Sequence, residues 1–288
     1  MGHDVPGAAL PEDLRGYLGF VLRRAFARFT AEAIAEGPQS RDFVVLDLLT
    51  DGDALSQQEL GERLGINRTI MVRLLDRLQE SGYVTRSPNP ANRRSHVLSL
   101  TPAGRAALEE MRAAVSDRDD RVLAPLSARE RRRLDELLTV LLPEGAPPAV
   151  RSTEYLVSQA HYRLRRLGDS LLEGTGLKVR HFGPLSAIAR FGPCPQQELA
   201  AHLGITGPAA AEVVDELVRA ELVQRGQDPY DRRRYALELT PLGRSRLVLM
   251  RAAVRRLRAE VLSLLGTPQH DELLALLTKL VESRSPAT

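Results

Sequence analysis

The chain matches itself when shifted by 139 residues. Gln57-Gln58-Glu59-Leu60 returns as Gln196-Gln197-Glu198-Leu199, Leu64-Gly65-Ile66 as Leu203-Gly204-Ile205, and Arg93-Arg94 as Arg232-Arg233. Leu100-Thr101-Pro102 with Gly104-Arg105 returns as Leu239-Thr240-Pro241 with Gly243-Arg244, and Met111-Arg112-Ala113-Ala114-Val115 as Met250-Arg251-Ala252-Ala253-Val254. Solenoid units run about 20 to 50 residues, so a repeat of this length is a duplicated domain. Whatever fold one copy adopts, the other must share, and every difference between them is a departure from a common start. The length of 288 residues agrees with two domains of roughly 150.

Composition narrows the class. Hydrophobic residues make up 43% of the chain, enough for two ordinary cores. No apolar run approaches the roughly 18 to 20 residues of a membrane helix, and the polar start (His3, Asp4, Glu12, Asp13) is unlike a signal peptide. With a single cysteine there is no disulfide framework, and a cytoplasmic address is expected. Net charge is only +3, but residues 1–145 hold 20 Lys+Arg against 22 Asp+Glu while residues 146–288 hold 20 against 15. Any contact with nucleic acid must therefore rest on local clusters of Arg.

In the first copy, Leu14, Leu18, Val21, Leu22, Ala25 and Phe29 form one stripe of an amphipathic helix over residues 14–35. A second helix is predicted over residues 41–50. Ser56 with Glu59 is a capping box opening a short helix to Leu64; Gly65 ends it, and Asn67 caps a longer helix from Arg68 to Glu80. Residues 83–86 and 96–100 read as strands, with 87–94 a polar hairpin loop. Thr101-Pro102 starts a long helix, and Ser127 with Glu130 caps another that ends near Leu142. After a Pro-rich linker the order repeats, with helices from Thr153, about Lys178, Gln196 and Thr206, strands at 222–225 and 235–239, and helices from Pro241 and about Pro268. The fold class expected is mainly α with small β-wings: two domains, 1–143 and 153–288, with the linker at 144–152.

Two short helices joined by a tight turn, then a hairpin bearing an Arg pair, describe a winged helix-turn-helix. The second helix of such a motif enters the major groove and its first exposed side chains reach base edges. Burial of Met71, Leu74, Leu75 and Leu78 leaves Arg68, Thr69, Val72 and Arg73 on the other face. Arg68 and Arg73 are suited to a guanine edge, and Val72 or Ile70 to a thymine methyl. Arg93 and Arg94 in one wing and Arg232, Arg233 and Arg234 in the other suit phosphates or a narrow minor groove. The helix start at Gln57 adds backbone donors for phosphate, and Thr206 opens the second reading helix.

These segments resemble the multiple-antibiotic-resistance regulator (MarR) family. The resemblance runs through Leu64-Gly65-Ile66-Asn67-Arg68, Leu74-Leu75-Asp76-Arg77-Leu78, Gly82-Tyr83-Val84, Asn89-Pro90-Ala91-Asn92-Arg93-Arg94 and Leu98-Ser99-Leu100-Thr101-Pro102-Ala103-Gly104-Arg105. It continues in the second copy through Leu203-Gly204-Ile205-Thr206, Asp228-Pro229-Tyr230-Asp231-Arg232-Arg233 and Thr240-Pro241-Leu242-Gly243-Arg244. The family's wing usually reads Asp-x-x-Asp-Arg-Arg, and the first copy departs from it with Asn89 and Asn92. The resemblance implies a dimer interlocked through terminal helices, an operator of double-stranded DNA, repression of transcription, and release by a small aromatic or lipophilic effector. Here both halves lie in one chain, so the object expected is a monomer with internal pseudo-two-fold symmetry, a pseudo-dimer that needs no second chain. Candidate effector contacts are Tyr17, Phe20, Arg24 and Phe43, with Tyr155, His161, Tyr162 and Phe182.

The copies differ most where DNA is read. Arg68-Thr69-Ile70-Met71-Val72-Arg73 becomes Gly207-Pro208-Ala209-Ala210-Ala211-Glu212, and Glu216 replaces Arg77. An asymmetric reader on an asymmetric or imperfect palindromic operator is expected: the first copy specifies bases, and the second mainly holds the backbone through its wing; the alternative is that Thr206, Ala209 and Ala211 still read thymine methyls and the site is near-symmetric. Rival readings are a non-specific architectural DNA binder and a protein-interaction regulator with a degenerate second DNA-binding unit. No phosphate loop, catalytic pair or metal-ligand spacing is present, so neither an enzyme nor a metal or cofactor is expected. Cys194 falls at the position of Leu55 and reads as a small hydrophobe.

Overall fold

The computed structural model describes residues 14, 16–36, 40–51, 55–64, 68–89, 92–142, 152–227 and 235–283, with backbone alone at 34–36, 40, 41, 51, 62, 63 and 92–95. The first copy contains α1 (Leu18–Glu36), α2 (Ser40–Leu48), α3 (Gln57–Leu64), α4 (Arg68–Glu80), β1 (Val84–Asn89), β2 (Asn92–Leu100), α5 (Pro102–Val122) and α6 (Ala128–Val140). The second contains α7 (Thr153–Ser170), α8 (Phe182–Phe191), α9 (Gln196–Leu203), α10 (Gly207–Arg219), β3 (Val223–Gln227), β4 (Tyr235–Leu239), α11 (Pro241–Leu265) and α12 (Thr267–Glu282). The architecture is helical with two small antiparallel hairpins, as the sequence led one to expect. No described helix is long and apolar enough to cross a membrane.

The same local devices build both copies. Thr101 accepts the Gly104 N–H at 2.9 Å and donates its hydroxyl to the Gly82 carbonyl at 2.6 Å. Thr240 accepts from Gly243 at 2.9 Å and donates to Glu221 at 2.7 Å. The Thr thus caps its helix and pins it to the turn before the wing. Glycine follows for a steric reason: a Cβ at Gly104 would lie 2.1 Å from the Tyr83 oxygen, and one at Gly243 would lie 2.0 Å from the Leu222 oxygen. Ser56 and Glu59 form the expected capping box, with Ser56 N–H to Glu59 at 2.7 Å. Pro195 at the equivalent place gives α9 no side-chain cap.

The wing of the first copy corrects one expectation. Residues 87–89 and 92–94, read as loop, continue the ladder: Ser87 pairs with Val97, Pro88 with His96 and, after a register shift, Asn89 with Asn92. Pro88 is tolerated because a two-stranded ribbon has open edges where a missing N–H costs no ladder bond. Arg93 and Arg94 accordingly sit within β2.

Packing follows a different partition from the repeat. One compact unit is Met1–Arg24 with Arg163–Thr288; the other is Ala25–Tyr162. Each unit joins the winged-helix body of one copy to part of the first helix of the other. In the former, Tyr17 meets Phe182 edge-on at 5.4 Å, and the Arg23 guanidinium donates to the Leu203 carbonyl at 3.1 Å. In the latter, Gln159 donates to the Leu64 carbonyl at 3.1 Å, and His161 stacks on Phe26 at 4.6 Å. Leu64 and Leu203 are equivalent in the repeat, so the exchange is reciprocal and ends on the same carbonyl, the last of the helix before the reading turn.

Candidate nucleic-acid interface

α4 buries Met71, Leu74, Leu75 and Leu78. That places Arg68, Thr69, Ile70 and Arg73 in solvent along its first two turns, with Val72 half-buried. Gln57 is half-buried at the start of α3. The side chains of Arg93 and Arg94, and all of Asn67 and Arg232–Arg234, lie outside the described residues. Asp76 of α4 and Arg86 of β1 form an ion pair at 2.6 Å, tying the reading helix to its wing.

α10 buries Ala210, Val214 and Leu217 and carries the same frame without basic donors. Thr206 is its N-cap, accepting the Ala209 N–H at 3.4 Å. Gly207, Pro208, Ala209 and Glu212 are exposed. Asp215 and Arg225 repeat the Asp76–Arg86 tie at 2.5 Å. A groove of about 440 Å³ runs between the start of α9 and the wing, lined by Gln196, Gln197, Arg225 and Tyr235. Tyr235, 74% exposed, was not singled out in the sequence. Its only signal there was that it takes the place of His96 on the strand leaving the wing.

Glu216 does not act as the sequence comparison suggested. In the first copy Arg77 pairs with Asp42 of α2. In the second the partners are reversed: Glu216 accepts from Arg180 at 2.8 Å and from His181 at 3.1 Å, and His181 is the repeat equivalent of Asp42. The Nδ1 of His181 accepts the Lys178 N–H at 3.2 Å, which leaves the proton on Nε2 for Glu216. Burial lowers the His181 pKa, and the Arg180 hydrogen bond holds Glu216 below the usual carboxylate range. The charge at this position is spent on internal docking of the reading helix, so Arg77 and Glu216 are equivalent in role though opposite in sign. Glu212 remains as the acidic residue exposed on the reading face of α10.

The candidate effector residues divide between the units. Tyr17, Phe20, Arg24 and Phe182 belong to one. Phe20 is buried under the Arg23 guanidinium, 5.1 Å from its ring, and Arg24 packs over the backbone of Gly204. Phe43, Tyr155, His161 and Tyr162 belong to the other, where Phe26, which sequence reading passed over, touches both His161 and Tyr162. The Tyr155 hydroxyl is buried without a hydrogen-bond partner among the described residues, and burial pushes its pKa up to about 12. Beside Tyr17, Arg258 and His270 about 10 Å³ is open, room for one water and not for an aromatic ring. Cys194 is buried, and its thiol is pushed up to about 11 by burial, so it is a poor nucleophile. Among the described residues no cluster of His, Cys, Asp and Glu could hold a metal.

Two helix-turn-helix motifs, each followed by a hairpin wing tied to its reading helix, define a tandem winged-helix protein. The chain belongs to the MarR family, whose sequence profiles match residues 39–96 and 175–234. The HTH-type transcriptional repressor Rv2887 of Mycobacterium tuberculosis is 32% identical over 128 residues, 43% of this chain and 92% of that protein. The HTH-type transcriptional repressor NicR of Pseudomonas putida is 32% identical over 125 residues, 42% of this chain and 79% of that protein. The solved structure of the transcriptional repressor CouR bound to a 23-mer DNA duplex is 28% identical, covering 44% of this chain and 89% of that one with a TM-score of 0.41.

Proposed function

We propose that this chain is a sequence-specific repressor of transcription that carries both halves of a DNA-reading dimer in one polypeptide and recognises an asymmetric operator. The observation that carries the reading is the contrast between two equivalent exposed helix faces. Arg68, Thr69 and Arg73 stand in solvent on α4, whereas Gly207, Pro208, Ala209 and Glu212 stand there on α10. Arg68 and Arg73 each have the reach and the paired donors for a guanine edge, a contact worth about 1–3 kcal/mol of discrimination. The small apolar residues of α10 offer thymine methyls a surface, and Glu212 opposes phosphate. The wings supply backbone affinity through Arg93, Arg94 and Arg232–Arg234. That the relatives sharing one copy's length are named repressors supports repression as the outcome.

Selection of bound sequences from a random pool tests this. The expected consensus has one guanine-bearing, information-rich half and one half of low information. Arg73→Ala should lower affinity for that site roughly tenfold or more with loss of preference in the rich half only. Two equally informative halves would refute the asymmetry. Strong salt dependence without any consensus would favour an architectural DNA binder.

An aromatic or lipophilic effector acts, in this reading, through the aromatic clusters that the first helices bring into each unit. Those helices also hold the carbonyls of Leu64 and Leu203 beside the reading turns. A ligand that displaced the ring of Tyr17 or Tyr155 would move the segment carrying Arg23 or Gln159, and with it the turn.

A further inference from the structure

The wing of the second copy carries a side chain that the first lacks. β3 and β4 pair so that Gln227 stands opposite Tyr235 and Arg225 opposite Leu237. Side chains two apart along a strand share a face, so Arg225, Gln227, Tyr235 and Leu237 lie on one face of the ribbon. The start of α9 forms a second wall. Cys194 bridges to Leu237, and Pro195, Gln196 and Gln197 line the groove of about 440 Å³ between them. Tyr235 lines the same groove while 74% exposed, and among the described residues no hydrogen bond engages its hydroxyl. The groove opens beside the reading face. Arg225 is held at 2.5 Å by Asp215 of α10, which lies three residues past Glu212 and on the same side of that helix. The first copy has the equivalent tie, Arg86 to Asp76, but His96 stands where Tyr235 does and Ser56 where Pro195 does. Ser56 closes its corner onto Glu59, with its N–H donating at 2.7 Å. Pro195 has neither N–H nor hydroxyl and makes no such closure.

We propose, on the reading of the chain as an operator-binding repressor, that this groove seats one strand of the sugar–phosphate backbone in the second half-site, with the Tyr235 hydroxyl donating to a phosphate oxygen. Gln196 and Gln197 face it from the opposite wall with amide donors of their own. Backbone contacts of this kind fix register and orientation without carrying sequence. That is the contribution a half with Gly207, Pro208 and Ala209 on its reading face can make. A phenol also suits the local charge. Asp215 is already held by Arg225, and a neutral side chain brings no charge to compete for it, so the phenol proton stays available to an outside acceptor. Duplex DNA presents such acceptors at every step, one phosphate per about 3.4 Å of axis on each strand.

Affinity of the full chain for a single selected operator tests this, with Tyr235→Phe, Tyr235→Ala and His96→Ala set against the native protein. Tyr235→Phe removes one hydroxyl from an exposed ring, so circular dichroism and the thermal midpoint should stay as they are. It should weaken binding about five- to tenfold with base preference unchanged in both halves, and Tyr235→Ala should weaken it at least as much. Because tyrosine is neutral, the slope of log affinity against log salt should not move, whereas loss of an arginine–phosphate contact lowers it by about one. Ethylating the operator phosphates singly locates the contact. One phosphate in the half of low information should, when ethylated, weaken the native protein and leave Tyr235→Phe unaffected. A Tyr235→Phe variant that binds the operator like the native protein overturns this proposal alone. So does a loss confined to Tyr235→Ala, which would assign the ring, or a loss with altered base preference, which would assign a base edge. His96→Ala weakening binding as much as Tyr235→Phe would make the contact common to both copies and overturn its assignment to the second. A native protein that selects no operator at all overturns the repressor reading, and this proposal with it.

Discussion

Gly82 and Glu221 occupy equivalent turns and both adopt the left-handed backbone region, with φ of 73° and 57°. Gly82 does so freely, whereas Glu221 carries a Cβ that crowds the following carbonyl. Glu221→Gly should therefore stabilise its unit by about 1 kcal/mol in urea unfolding, and Gly82→Ala should destabilise the other by a similar amount. Gly104→Ala and Gly243→Ala meet a harder obstacle, a carbonyl oxygen about 2 Å from the new methyl. Each should cost at least about 2–3 kcal/mol and detach the wing from the long helix, seen as faster amide exchange in β1–β2 or β3–β4. The pairing of Thr101-Pro102 with Gly104 was legible in sequence as a helix start. Its second role, holding the turn before the wing, was not, because the partner carbonyls of Gly82 and Tyr83 are reached only by the fold.

Each reading helix is docked on the segment before its helix-turn-helix, α2 in the first copy and the 3-10 turn Val179–His181 ahead of α8 in the second, by an ion pair whose polarity is reversed between the copies. Asp42 and Arg77 serve the first; His181 and Arg180 with Glu216 serve the second. Glu216→Arg alone should set three basic groups together and loosen α10, lowering the thermal midpoint and protection of α10 amides. Adding His181→Asp restores the first copy's pair and should recover most of that loss; no recovery would mean that the two pairs are not interchangeable. Sequence alone read Glu216 as a charge facing DNA, because helical spacing fixes which side a residue is on but not what lies beside it. The same limit applied to the wing: Pro88, Asn89 and Asn92 signal a loop, yet the ladder between β1 and β2 includes them.

At the scale of the whole chain, the second copy's first helix begins on a carboxylate of the first copy. Asp119 of α5 accepts the N–H groups of Thr153 at 2.8 Å and Glu154 at 3.2 Å, while Thr153 donates to Asp135 at 2.7 Å and Arg118 pairs with Glu154 at 2.8 Å. Burial pushes the Asp119 carboxyl up to about 7 in spite of those two N–H groups, with Glu154 and Asp135 adding to the shift. Because the folded value lies above the ordinary one, this group's contribution is full in acid and is lost as pH rises through about 7. Stability in urea should fall as pH rises from about 4 to about 7 and level off above that, by no more than about 1.4 kcal/mol per pH unit from this group. Asp119→Asn, which cannot ionise, should flatten that fall; an unchanged slope would place the titration elsewhere.

The repeat, the helix periodicities and the turn signals determined that there are two copies, that each is a winged helix-turn-helix, and which faces of α4 and α10 meet solvent. These are local properties, set by the spacing of apolar residues and by capping chemistry within a few residues. Tertiary structure alone decided that the units are built by exchange, with Arg23 and Gln159 each reaching a carbonyl of the other copy, and that Glu216 is neutralised by Arg180. Those contacts join residues 180, 95 and 36 positions apart. No local pattern encodes such a meeting, because it depends on which of two nearly equivalent partners a helix packs against.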